Sequence, residues 1–193
     1  MDTKTLLSFI SGAFSAIAYG PYVYAILKKG STVKPNRASW FTWWVIDISC
    51  VAALIAAHSY KALPMFVAFS IGSIAILILS IKRGEGGFEP LDIGCIFTAL
   101  VGVGLWLWSG NPIIAIVALM ASAVAGTLPT TKKAWLNPES EDLLTWGLLA
   151  VGGFFGSLAV NELIFEAVAP PVNVFVLQLT IVIPLIKHKL TRA

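Results

Sequence analysis

The sequence predicts an all-α polytopic membrane protein: seven transmembrane helices, arranged as two parallel three-helix bundles joined by a linker helix. Three observations lead there. Of 193 residues, 58% are hydrophobic and 12% charged, with a mean hydropathy of +0.86. Soluble domains carry roughly 25% charged residues, so 13 basic and 10 acidic side chains are too few for a water-facing surface. The apolar residues fall into seven continuous runs, each near the 17–25 residues that cross a bilayer as a helix. They do not alternate with polar residues, which excludes a transmembrane β-barrel. Finally, Lys and Arg divide unevenly between the two sides that seven spans define.

The runs lie at about 5–27, 39–59, 63–81, 91–109, 112–131, 143–161 and 169–186, each bounded by charge, Gly or Pro. Residues 1–5 hold one Asp and one Lys, so the first run lacks the positive leader of a cleaved signal and reads as a retained helix. The gaps at 60–63 and 109–112 are short enough to force tight antiparallel hairpins. Asn36 and Asn137 read as caps ahead of spans 2 and 6, with Pro138 at a first helical position. The odd-numbered loops and the C-terminus hold eleven basic residues, from Lys28 and Lys29 to Arg192; the other side holds only Lys4 and Lys61. Because Lys and Arg concentrate in cytoplasmic loops, the N-terminus is expected outside and the C-terminus in the cytoplasm. The compact chain and short flanks point to a bacterial inner membrane, with no separate catalytic or nucleic-acid-binding domain.

Spans 1–3 and 5–7 can be laid over one another. AIAYGPYVYAILKK ends span 1 and AVAGTLPTTKKAW ends span 5, so Pro21 coincides with Pro129, with small residues before and lysines after. SWFTWW opens span 2 and DLLTWG opens span 6, aligning Thr42-Trp43 with Thr145-Trp146. Pro64 aligns with Pro171 and Ser73 with Thr180. Span 4 has no counterpart, and a single linker helix is what two same-sense three-helix units require. The expected division is 1–84, a linker at 85–111, and 112–193. Compositional likeness among membrane helices is the competing explanation.

A chain of this size with a parallel three-plus-one-plus-three plan resembles the SWEET sugar transporters and the wider PQ-loop superfamily. The segment PYVYAILKKGSTVKPNRASWFTWW resembles their first signature, a Pro-bearing helix followed by Lys, Ser-Thr and the next helix. The Gln expected after each proline is Tyr22 in one unit and Thr130 in the other, so the PQ dipeptide is absent from both. The resemblance implies the fold and a transport role. It also points to Asn173, since SWEETs use an asparagine of the seventh helix for substrate.

Polar side chains far from the interfaces are costly in a bilayer and call for an explanation. At ~1.5 Å per helical residue, Asp47 lies roughly 12 Å into span 2, and Tyr19, Ser73 and Gln178 lie roughly 13 Å from the basic ends of theirs. Four spans thus bring polar groups to one depth. No Lys or Arg shares that depth, so the Asp47 carboxyl must be neutralised by a proton or by a cation from outside. That suits proton coupling or a substrate cation; the alternative is a protonated acid serving only helix packing. Trp40, Trp43 or Trp44, and Asp47 follow i, i+3, i+4 spacing. They form either a stacking wall leading to the acid or an interfacial belt; Trp40 fits the belt better, and Trp43 and Trp44 fit either. Trp106, Trp108 and Trp135, the last in loop 5, read as belt residues. Pro21 and Pro129 each remove a helical hydrogen bond and are read as hinges, with plain kinks as the alternative. Ala18, Ser122 and Gly126 permit close helix approach.

Cys50 and Cys95 sit in apolar runs and suggest neither a disulfide nor a zinc site. His58 and His188 stand apart without metal-ligand partners. No cofactor and no metal is expected, and nothing pairs a nucleophile with a base, so an enzyme is not expected. The expected partners are the lipid bilayer and a small polar solute, without nucleic acid. One chain suffices to enclose a pathway, and a homo-oligomer is left open. The leading reading is a small-solute transporter with alternating access about a midplane site, with proton linkage open and the solute a sugar, an amino acid or a vitamin-like molecule. The alternative is a membrane receptor or interaction protein on the same fold.

Overall fold

The computed structural model describes residues 2–28, 30–56, 58, 60–87 and 89–191; Lys29 and Arg192, two of the eleven basic residues assigned to one side, lie outside the described residues. Seven α-helices account for most of the chain: α1 Thr3–Leu27, α2 Arg37–Ala56, α3 Leu63–Arg83, α4 Pro90–Ser109, α5 Pro112–Leu136, α6 Leu143–Ala159 and α7 Phe165–Thr191. Among the described residues there is no strand, only an isolated bridge between Asn36 and Glu85. Five helices, α1, α2, α3 with its preceding turn, α4 and α7, are long and apolar enough to cross a membrane. The 17-residue α6 is apolar but shorter, and α5 has 25 residues.

Local chemistry explains the helix ends. Asp2 accepts from the Thr5 N–H at 2.6 Å, Asn36 from Ser39 N–H at 2.9 Å and Asp142 from Thr145 N–H at 2.8 Å, each satisfying a first-turn donor. Pro64, Pro90 and Pro112 occupy first-turn positions that need no N–H. Gly110 ends α4 in the left-handed region at φ 59°. Two boundaries differ from the sequence reading. Asn137-Pro138 opens a 3-10 turn, Pro138–Ser140, and Asp142 rather than Asn137 caps α6. α7 begins at Phe165 and carries Pro170 and Pro171 inside it, so Pro171 is an interior proline whereas its aligned partner Pro64 is a helix-start proline.

The helices close into a ring of neighbours. α1 packs on α3 and α6, α2 on α3 and α5, and α7 on α5 and α6; α4 lies against α5 and α2. Small residues set the closest approaches, as van der Waals packing in a bilayer favours. Between α1 and α6, the Ser11 hydroxyl donates to the Gly152 carbonyl at 2.7 Å. Between α2 and α5, a Cβ on Gly126 would stand 2.6 Å from Thr42 Cγ2. α4 docks through Gly102, where a Cβ would meet Ser122 Oγ at 2.6 Å, and through Cys95, whose thiol donates to Ala125 O at 2.9 Å.

The two ends of the bundle differ. One gathers the C-termini of α1, α3, α5 and α7 with the starts of α2, α4 and α6, and carries the described lysines and arginines other than Lys4 and Lys61. It is knitted by backbone bonds from Lys34 to Ser140 and from Arg37 to Glu85, and by Arg83, which donates to Ile26 O and Leu27 O at 3.1 Å each. At the opposite end Lys61 pairs with Asp2 at 3.6 Å and Lys4 donates to Leu158 O at 2.7 Å.

Two glycines of α6 test the packing. A Cβ at Gly153 would lie 2.9 Å from the Phe175 backbone nitrogen of α7, whereas Gly147 faces open space. Gly153→Ala is expected to destabilise the protein by about 1–3 kcal/mol through overpacking, and Gly147→Ala to leave it unchanged or slightly more stable; thermal unfolding in detergent measures both.

Candidate functional site

A cavity lies at mid-height inside the ring. Its volume is about 60 Å3, room for a few waters at roughly 10–15 Å3 each. A ring-sized solute therefore enters only if the walls part. Six of the seven candidate binding or coupling residues line it: Tyr19 from α1, Trp43 and Asp47 from α2, Ser73 from α3, and Asn173 and Gln178 from α7. Trp44 does not. It sits one residue and about 100° around the helix from Trp43, beside Phe41 with ring centroids 6.5 Å apart.

Asp47 is buried, 7% exposed. Tyr19 on α1, Cys50 on α2 and Ser73 on α3 line the cavity with it; the Ser73 hydroxyl donates to the Ser70 carbonyl at 3.4 Å. Among the described residues Asp47 forms no ion pair. Tyr19 is held in place by α3: its hydroxyl points to Phe69 O at 3.4 Å, and its ring lies where a Cβ on Gly72 would stand 2.2 Å away. The Gln178 amide oxygen is buried without a hydrogen-bond partner, an unsatisfied acceptor on a residue that lines the cavity.

The cavity has one sealed end and one loose end. Toward the lysine-bearing end, Trp40, Trp43 and Trp146 pack on one another with ring centroids 5.1–6.0 Å apart, and Tyr22 rests on Trp40 and Trp146. Trp40 is only 2% exposed, so it belongs to this interior floor and not to an interfacial belt; its i+3 partner Trp43 continues the same stripe inward. Below the floor the Glu141 carboxylate has its side chain fully buried. It accepts from Tyr22 O–H at 2.9 Å and Trp146 Nε1–H at 2.8 Å and pairs with Lys133 at 2.5 Å. Lys133 also reaches Glu85 at 3.5 Å and the Lys34 carbonyl. Toward the opposite end, Met120 and Asn173 are shared with a broader groove between α5 and α7, floored by residues such as Phe165 and Val172.

Pro21 and Pro129 lie inside continuous helices. Each precedes a residue that reaches across the ring: Tyr22 to Glu141 of the α6 approach, and Thr130 to the Ser39 hydroxyl of α2 at 3.1 Å. Trp108 is 84% exposed and Trp135 52% exposed; Trp135 sits in the last turn of α5 rather than in a loop, under the Lys187 ammonium at 5.6 Å. His188 is not isolated, since its Nε2 stands 3.9 Å from Glu139.

Sequence reasoning missed Glu141 and Lys133, which it counted only as loop charge, and Trp146, which it used only to align the units. One signal was present: Glu141-Asp142 stand directly before an apolar run, and only Asp142 is needed as a cap. Among the described residues no group of three or more His, Cys, Asp or Glu could hold a metal ion.

Removing Lys133 while leaving Glu141 buried strands a charge. Lys133→Met is expected to cost about 3–5 kcal/mol, and adding Glu141→Gln to recover much of it, as read by melting the purified variants. No protein-family model, curated protein or solved structure matches the chain.

Proposed function

We propose that the chain is a small-solute transporter of seven spans, working by alternating access on a duplicated three-plus-one-plus-three plan of the SWEET/PQ-loop kind. The observation that carries this reading is the cavity: central, lined by polar groups from α1, α2, α3 and α7, sealed at one end and loosely closed at the other. A purely structural bundle has no use for an unpaired buried acid and an unpartnered amide facing one void.

The neighbour pattern supports the duplication. Exchanging α1 with α5, α2 with α6 and α3 with α7 turns each of the six ring contacts into another of them. α4 falls outside that exchange, as a linker would. The lysine-bearing end is assigned to the cytoplasm, so the sealed floor faces inward and the α5–α7 groove faces outward. Pro21 and Pro129 then stand beside the contacts that must break for the cytoplasmic end to open, which suits hinges. A receptor for an anionic peptide end is disfavoured, because no Lys, Arg or His lines the cavity.

Cys50 lines the cavity, while Cys95 is engaged between α4 and α5. The chain has two cysteines, so Cys95→Ser leaves Cys50 as a single reporter. A membrane-impermeant methanethiosulfonate is expected to modify Cys50 from either face of oriented vesicles, and faster from the cytoplasmic face once Lys133→Met and Glu141→Gln loosen the floor. Modification from one face only, unchanged by the loosened floor, would leave a receptor-like protein and remove the transporter reading.

A further inference from the structure

The charge balance of the cavity narrows what it binds. Beside Asp47, every element lining the cavity contributes groups without positive charge: Tyr19 from α1, Cys50 from α2 itself, Ser73 from α3, Thr127 from α5, Trp146 from α6 and Gln178 from α7. Of these only Tyr19 and Cys50 are titratable, and both ionise to anions. The same cavity is lined by Trp40, Trp43 and Trp146, and indole faces attract cations; the Gln178 oxygen is an acceptor with no protein donor. The rest of the lining is largely aliphatic and aromatic, including Phe66, Leu119 and Leu177.

We infer that the cavity binds a small organic monocation, an aromatic or alkyl ammonium lacking any acidic group, in competition with a proton on Asp47. This rests on the transporter reading and names its solute class. A carboxylate or phosphate on the solute would be buried beside Asp47 with no cation to meet it, which excludes zwitterionic amino acids and nucleotides. A polyol would bring hydroxyls but no charge to balance an ionised Asp47. An ammonium instead supplies the charge the acid lacks, sets its alkyl or aryl body against the indoles, and donates to Gln178 where it carries an N–H. The carboxyl has two neutral states inside a closed cavity, protonated or ion-paired. As the cation enters, the Asp47 O–H bond breaks and one proton leaves to the open side; on the other side a proton returns as the cation departs. With alternating access, that competition is a one-for-one exchange of cation for proton.

Benzyltrimethylammonium is the probe, with benzenesulfonate and glucose as controls. Purified wild type is expected to show saturable quenching of indole fluorescence by the cation alone. One proton should be released per cation in weakly buffered solution, and the affinity should fall as pH is lowered. Asp47→Asn should weaken binding roughly thirtyfold or more and abolish proton release, while Asp47→Glu retains both. Cation affinity unchanged in a normally melting Asp47→Asn, or insensitive to pH in the wild type, overturns the inference, as does binding of benzenesulfonate or glucose in place of the cation. The pH dependence of the wild type decides the matter if Asp47→Asn does not fold. Two-face labelling of Cys50 together with failed cation binding would end the solute class and leave the transporter. One-face labelling with intact cation binding would end the transporter, and with it the exchange, and leave the cation site.

Discussion

In an apolar medium a polar group has no solvent to fall back on, and Asp47 is where this bundle meets that constraint most sharply. Its carboxyl is buried, and among the described residues no ion pair meets it. Beyond the aromatic floor, toward the lysine-bearing end, Glu141 meets the same constraint and resolves it within the protein, with two hydrogen bonds and an ammonium. The contrast separates the two acids. Glu141 is matched within the protein and ties α5, α1 and α6 together, whereas Asp47 has no ion-pair partner among the described residues.

The aromatic floor connects them. Three indoles and Tyr22 form a packed layer between the cavity and the ion pair. The floor is built from α1, α2 and α6, and its underside is clamped by α5 through Lys133. Any movement that opens the lysine-bearing end must part these rings and break or carry the ion pair with it. The small present volume of the cavity fits the same picture of a chamber that admits solute only when its walls move.

Much of this was legible in the sequence, because the bilayer makes length and charge speak plainly. The helix limits at Leu27, Arg83 and Ser109 fall within a few residues of the run ends, and counting residues from the basic ends put Tyr19, Asp47, Ser73 and Gln178 at a common level. Counting cannot give rotation about the helix axis. Trp43 and Trp44 are equally deep, and only packing shows that one faces the cavity and the other Phe41. Trp40 looked interfacial by position, yet its depth of burial depends on α1 and α6 covering it, which no local pattern states. Glu141 and Lys133 were read as loop charges because sequence distance hides that a loop folds back under the bundle. α7 runs through Pro170 and Pro171 because the neighbouring α5 and α6 hold it, a tertiary effect that overrides the breaker signal.

The two prolines have unequal neighbours. Beside Pro21, Tyr22 is bound into the indole floor and the Glu141 carboxylate; beside Pro129, Thr130 has one hydroxyl contact to Ser39. The grip at the lysine-bearing end is therefore lopsided: the residue after Pro21 is locked on three sides, by two indoles and a carboxylate, while the residue after Pro129 hangs on one hydroxyl, so the two helices resist bending unequally.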